Sequence, residues 1–173
     1  PGAIEIFIAG CADPRKKGQP PPPAGYGCVA VASGSGNRMF TMGGPITSAT
    51  PGMRSTATDN LALLVAIARA LTWAADNPAA NPIQPMGSAP RAICIRYESE
   101  YAAMIASGGW KAKKHKGVAA VAGHAWKRLK AQRGERLYLA HAPSKSAPAR
   151  RTLARGGTAA GLAKAGKCGT YTY

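Results

Sequence analysis

The chain has 173 residues, with 23 Lys+Arg against 7 Asp+Glu and a formal net charge of +16 at pH 7. At 46% apolar residues it is too hydrophobic for wholesale disorder, and its length suits one domain with a real core. No window approaches 18 uninterrupted apolar residues, which excludes a transmembrane helix, and any mechanism needing clustered carboxylates must draw on Glu5, Asp13, Asp59, Asp76, Glu98, Glu100 and Glu135.

Residues 3–9, AIEIFIA, are a β-branched and aromatic run of strand length. Residues 13–24, DPRKKGQPPPPA, suit neither strand nor helix. Four consecutive prolines make them a stiff, partly polyproline connector that displays Arg15, Lys16 and Lys17. Residues 25–33, GYGCVAVAS, read as a second strand, and SGSGN after them is turn chemistry. Residues 38–42, RMFTM, make a short third strand ended by Gly43-Gly44. Three strands with short connections predict an antiparallel meander.

After a polar loop, residues 58–75, TDNLALLVAIARALTWAA, give the clearest helical pattern. Thr58 or Asp59 can cap it. Leu61, Leu64, Ala68 and Leu71 keep helical spacing, and Leu63, Ile67 and Ala74 widen the apolar surface towards full burial. Asn77-Pro78 stops it, and 77–90 is a loop. Residues 91–97, RAICIRY, are a fourth strand, and Glu98 to Ser107 a short helix broken by Gly108-Gly109. Trp110 to Lys116, WKAKKHK, is a dense basic segment headed by an aromatic. Residues 117–132 look helical, with Val118, Val121, Trp126 and Leu129 as the apolar stripe. Residues 135–140 are a fifth strand, and 150–165 a small-residue helix. The order β-β-β-α-β-α-α-β-α implies an α/β domain, a five-stranded mixed sheet with helices packed on it. One domain is expected over 1–165, with the proline-rich insertion at 13–24 and a tail at 166–173.

The charge is lopsided. Residues 1–90 hold six basic and four acidic side chains, whereas 91–173 hold seventeen and three. Such a field favours a polyanionic partner, most simply nucleic acid. A membrane surface fits less well, because no long helix pairs a basic face with a bulky apolar one. Cys11, Cys28, Cys94 and Cys168 form no C-x-x-C pair, and His115, His124 and His141 add no ligand-spaced set, so no zinc site is expected. Cys11, Cys28 and Cys94 sit in or beside apolar runs and read as small buried hydrophobes, which suits a reducing compartment. The chain begins at Pro1 without a methionine, as a processed or trimmed product would.

Five fragments in this order resemble the ribonuclease H family. That family opens with a strand ending Asp-Gly-Ser and enters a Gly-Tyr-Gly strand; here Ala9-Gly10-Cys11 leads to Gly25-Tyr26-Gly27. Its first helix has a Thr/Asn start and a Glu one turn in; here the stretch is Thr58-Asp59-Asn60-Leu61-Ala62. Its fourth strand ends Asp-Ser-x-Tyr; here Glu98-Ser99-Glu100-Tyr101. Many members carry a Trp-led basic handle and a Trp-x-x-Leu helix, which Trp110–Lys116 and Trp126-Lys127-Arg128-Leu129 resemble, and a His-Ala loop, here His141-Ala142.

The resemblance implies an RNase H-like fold and, in active members, two-metal hydrolysis of RNA by carboxylates at four positions. Matched one by one, those positions fall on Ala9, Ala62, Glu98 and, near the last helix, Arg151. One carboxylate of four cannot assemble a pair of hard cations, so no catalytic residue, metal or cofactor is expected, and Arg151 is placed to bind a phosphate instead. The expected function is that of a non-catalytic RNA-binding protein, a structural part of a large ribonucleoprotein such as a mitochondrial ribosome. It would bind structured or double-stranded A-form RNA beside neighbouring proteins, away from membranes. The alternative is an active or retroelement-derived ribonuclease H that cleaves RNA in RNA–DNA hybrids. Candidate RNA contacts are Arg15, Lys16 and Lys17 on the proline arm, and Trp110, Lys111, Lys113, Lys114 and Lys116 in the basic segment. Lys127, Arg128 and Lys130 extend it, and Lys145, Arg150, Arg151 and Arg155 form a second basic set.

Overall fold

The computed structural model describes residues 3–13, 23–33, 38–47, 58–77 and 91–142. Five strands, β1 (Ile4–Ala12), β2 (Ala24–Ala32), β3 (Arg38–Pro45), β4 (Ile93–Tyr97) and β5 (Leu137–His141), form one sheet in the order β3-β2-β1-β4-β5. β1, β2 and β3 run as an antiparallel meander, and β4 and β5 join parallel to β1. The helices are α1 (Asp59–Asp76), α2 (Glu100–Ser107) and α3 (Lys116–Arg133), and a 3₁₀ turn at Gly134–Arg136 leads into β5. The expected helix at 150–165, the tail and most of the proline connector lie outside the described residues. The ends of that connector meet, with Asp13 N–H donating to Pro23 C=O at 3.3 Å, so it tips a hairpin.

β1 alternates. Ile4, Ile6 and Ile8 enter the main core with α1, while Phe7 joins Val29 and Val31 in a second buried cluster on the other face. α1 is buried almost all round: Leu61, Leu64, Ile67 and Leu71 are fully enclosed, as are Ala62, Ala66, Ala70 and Ala74. It packs on β1 and β2 and carries α2 and α3 against it. Its N-terminus is held by Thr58 Oγ1, which accepts from Leu61 N–H at 3.1 Å. At its far end Trp73 stacks on Phe40 of β3, with ring centroids 4.6 Å apart.

Two readings of the sequence need correction. β3 does not stop at Gly43-Gly44: both pair with β2, Gly43 with Gly27 and Gly44 with Tyr26. Gly44 lies beside the Tyr26 ring, which a Cβ there would touch at ordinary van der Waals distance, 3.5 Å. The buried stripe of α3 is Val118, Ala122, Ala125 and Leu129. Val121 is 46% exposed and Trp126 only partly buried, because close packing on α1 selects small residues over bulky ones.

Candidate nucleic-acid interface

The carboxyl end of β1 gathers three of the four positions matched to carboxylates. Parallel pairing of β1 with β4 ends with Phe7 opposite Arg96, and Glu98 follows just past the end of β4. Gly10 lies hard against α1: a Cβ there would stand 2.6 Å from Leu63 N and 2.9 Å from Ala62 Cβ. Asp59 Oδ1 accepts from Ala12 N–H at 2.6 Å and ties the strand end to the first helical turn. The three side chains nevertheless face different ways. Ala9 turns to the Phe7 cluster, Ala62 is fully buried on the α1 side, and Glu98 is exposed just past β4. His141 ends β5 beside Tyr97, ring centroids 5.6 Å apart, and its Nε2 lies 3.1 Å from Glu98 C=O. Arg151 lies outside the described residues.

Paired Mg²⁺ ions, which the resemblance implies, would need several convergent oxygens. Among the described residues the three matched positions offer one carboxylate and two methyl groups, and no cluster of three or more His, Cys, Asp or Glu side chains is placed to hold a metal. These residues do not fit such a pair.

The basic segment is a different kind of place. Gly108 closes α2 in the left-handed region at φ 85°, and Trp110 N–H donates to Met104 C=O at 3.0 Å. His115 ends the loop and caps α3, also left-handed at φ 56°. For a residue with a Cβ that conformation costs about 1–2 kcal/mol, so the surroundings must hold it there. They do: His115 is only 8% exposed, and its Nε2 lies 3.3 Å from Thr58 Oγ1. Burial, then the neighbouring Lys114 charge, hold its pKa below the usual histidine value. Ala112 packs on the core as the middle anchor. With the loop pinned at Ala112 and His115, Lys111, Lys113 and Lys114 stand in solvent, and Trp110 is 47% exposed.

α3 continues the surface. Lys116 and Lys127 lie eleven residues apart, about three turns and ~16 Å along the same helical face. Arg128 is turned away and pairs with Asp76 at the end of α1, and Lys130 pairs with Glu135 at 3.3 Å. Arg15, Lys16, Lys17, Lys145, Arg150 and Arg155 lie outside the described residues. Sequence reasoning misses His115 as a structural residue, since a histidine among lysines reads as part of an exposed run. It also misses the Glu5–Arg96 pair across β1 and β4, at 2.6 Å.

Elsewhere the described cysteines are free. Burial pushes the Cys28 thiol up to about 12 and the Cys94 thiol up to about 11, which makes both poor nucleophiles, while Cys11 is partly exposed. No helix among the described residues is long and apolar enough to cross a membrane.

No family model and no curated protein matches the chain. Solved structures do. RNase H1 from the halophilic archaeon Halobacterium salinarum aligns over 95% of this chain and 97% of its own, at 22% identity and a TM-score of 0.59. The fold is RNase H-like. LC11-RNase H1, isolated from compost by a metagenomic approach, covers 96% of each chain at 23% identity and TM-score 0.61. The same enzyme in complex with an RNA/DNA hybrid covers 93% of this chain and 94% of its own at 25% identity and TM-score 0.56. The five-stranded mixed sheet and the meander of β1, β2 and β3 are as the sequence predicts.

Proposed function

We propose that the chain is a non-catalytic RNase H-like RNA-binding protein, a structural component of a large ribonucleoprotein such as a mitochondrial ribosome. One observation carries this reading: methyl groups at Ala9 and Ala62 occupy the end of β1 where the resemblance implies metal-holding carboxylates. The exposed loop Lys111–Lys114 and the Lys116–Lys127 face of α3 supply cations for phosphates instead. A fold neighbour is seen with an RNA/DNA hybrid, which supports a partner of A-form character. Phosphate contacts from Lys111, Lys113, Lys114, Lys116 and Lys127 would fix the protein on a duplex without reading its sequence. Arg15, Lys16, Lys17, Lys145, Arg150, Arg151 and Arg155 are proposed as further contacts, Arg128 and Lys130 as secondary ones. The mitochondrial, reducing location belongs to the same proposal and rests on composition and unpaired cysteines.

A second reading, a nuclease acting on RNA–DNA hybrids, is favoured by the enzyme neighbours and by Glu98, which keeps a carboxylate where the resemblance implies one. One experiment separates the two. A labelled RNA–DNA hybrid is incubated with the protein and Mg²⁺ or Mn²⁺, and resolved on gels that show cleavage and retardation. Retardation without cleavage is expected. Cleavage that disappears in Glu98→Gln would overturn the non-catalytic reading.

A further inference from the structure

Between the start of α1, the exposed side of α2 and the basic loop lies an open cavity of about 710 Å³. Tyr101, Ile105 and Trp110 give it aromatic and apolar walls, Thr58 and Asn60 a polar edge from α1, and Lys111, Lys113 and Lys114 a cationic mouth. A duplex groove contact needs none of this depth. An inorganic phosphate would use the lysines and leave the aromatic walls idle. Flat apolar surfaces beside concentrated positive charge suit a ligand that is itself half π-system and half phosphate.

We propose that this cavity holds one unpaired nucleotide, its base against Trp110 and Tyr101 and its phosphate on Lys111, Lys113 and Lys114. The inference rests on the nucleic-acid reading above and adds a site for a strand end or an unstacked base. The loop is shaped for the task before any ligand arrives. Trp110 N–H donates to Met104 C=O at 3.0 Å, which ties the backbone that presents the indole to α2. His115, buried at the cavity's inner edge, fixes the other end of the loop to Thr58. Thr58 and Asn60 offer hydrogen bonds to a sugar or base edge.

Free mononucleotides and strand termini share this chemistry, and the test separates them. Adenosine monophosphate is titrated against the protein while tryptophan fluorescence is read, with inorganic phosphate as the control and Trp110→Phe identifying the responding indole. Quenching by the nucleotide and none by phosphate is expected. In parallel, retardation compares a blunt RNA duplex with the same duplex carrying a one-nucleotide overhang. The overhang is expected to tighten binding about tenfold, the scale of one base stacked on an aromatic side chain. That ratio should fall to one in Trp110→Ala and in Tyr101→Leu and survive in Trp110→Phe. Equal affinity for blunt and overhanging duplexes overturns a strand-end site, and absence of quenching as well removes the nucleotide site altogether. If neither duplex is retarded, the RNA-binding function itself fails. The fluorescence titration then still decides the cavity, quenching upholding it and silence overturning it.

Discussion

The carboxyl end of β1 and the Gly108–His115 loop both meet the first turn of α1, yet they are made of opposite materials. At β1 the chain packs backbone on backbone, with Gly10 against Ala62 and Leu63 and no room for another atom. At the loop, partly buried Ala112 and buried His115 anchor a segment whose lysines and indole stand out in solvent. In fold neighbours named as RNase H enzymes, the strand end matches a chemical centre through the resemblance. Here that end is closely packed, and the exposed lysines stand on the loop. The two places therefore differ in what they present: packed backbone at the strand end, exposed cations at the loop.

The sharpest way to break the comparison is at Gly10. Gly10→Ala forces a methyl into the α1 backbone and is expected to cost about 3 kcal/mol, read by chemical denaturation. Gly108→Ala meets open space and bears only the left-handed φ, about 1 kcal/mol. Similar losses at the two glycines would mean that the strand end is not tightly packed.

Next comes the loop. Replacing Lys111, Lys113, Lys114 and Lys116 with alanine should weaken RNA binding regardless of sequence. It should also flatten the slope of log K against log salt by about one for each phosphate that is no longer neutralised. An unchanged slope would take the loop out of the interface.

A smaller effect concerns pH. Burial and Lys114 depress the pKa of His115 in the folded state, with Thr58, Lys113 and Lys114 as its polar and charged surroundings. The unfolded chain therefore binds this proton more readily. The stability that His115 contributes is fully present above its ordinary value near 6.5 and is lost as pH falls through the depressed folded value. His115→Gln should flatten that part of the stability–pH curve, and an unchanged curve would show that another group titrates there. Smallest of all is Arg128→Ala. Its pair with Asp76 is exposed, with side-chain accessibilities of 43% and 57%, and the expected loss is about 0.5 kcal/mol or less.

Much of this molecule is legible in its sequence, for physical reasons that can be named. The alternation of AIEIFIA puts Ile4, Ile6 and Ile8 on one face, and an α1 apolar all round has to be a central helix. Thr58 caps that helix as its hydroxyl suggests. β3 looks too short in the sequence because Gly43-Gly44 is turn chemistry in isolation, whereas in the sheet both glycines pair with β2. The stripe of α3 misleads because bulk suggests burial, whereas a helix pressed on Ala-rich α1 buries its alanines and leaves Val121 outside. At the candidate site the exposed lysines are legible from charge. The anchoring roles of Ala112 and His115 are not, since the first has no distinctive chemistry and the second is defined by a backbone angle and a partner 57 residues away.

The central position of β1 has a consequence for how this chain comes into being. β1 leaves the ribosome before the strands it pairs with, and its meander partners β2 and β3 follow at once. Its other neighbour, β4, arrives about ninety residues later, since Ile4 pairs with Ile93. Throughout that interval one edge of β1 has its hydrogen-bonding groups unmatched and its isoleucines only partly covered. A chain stalled or cut before β4 would hold an open, apolar strand edge, so truncation between α1 and β4 should yield an aggregating fragment rather than a smaller folded domain.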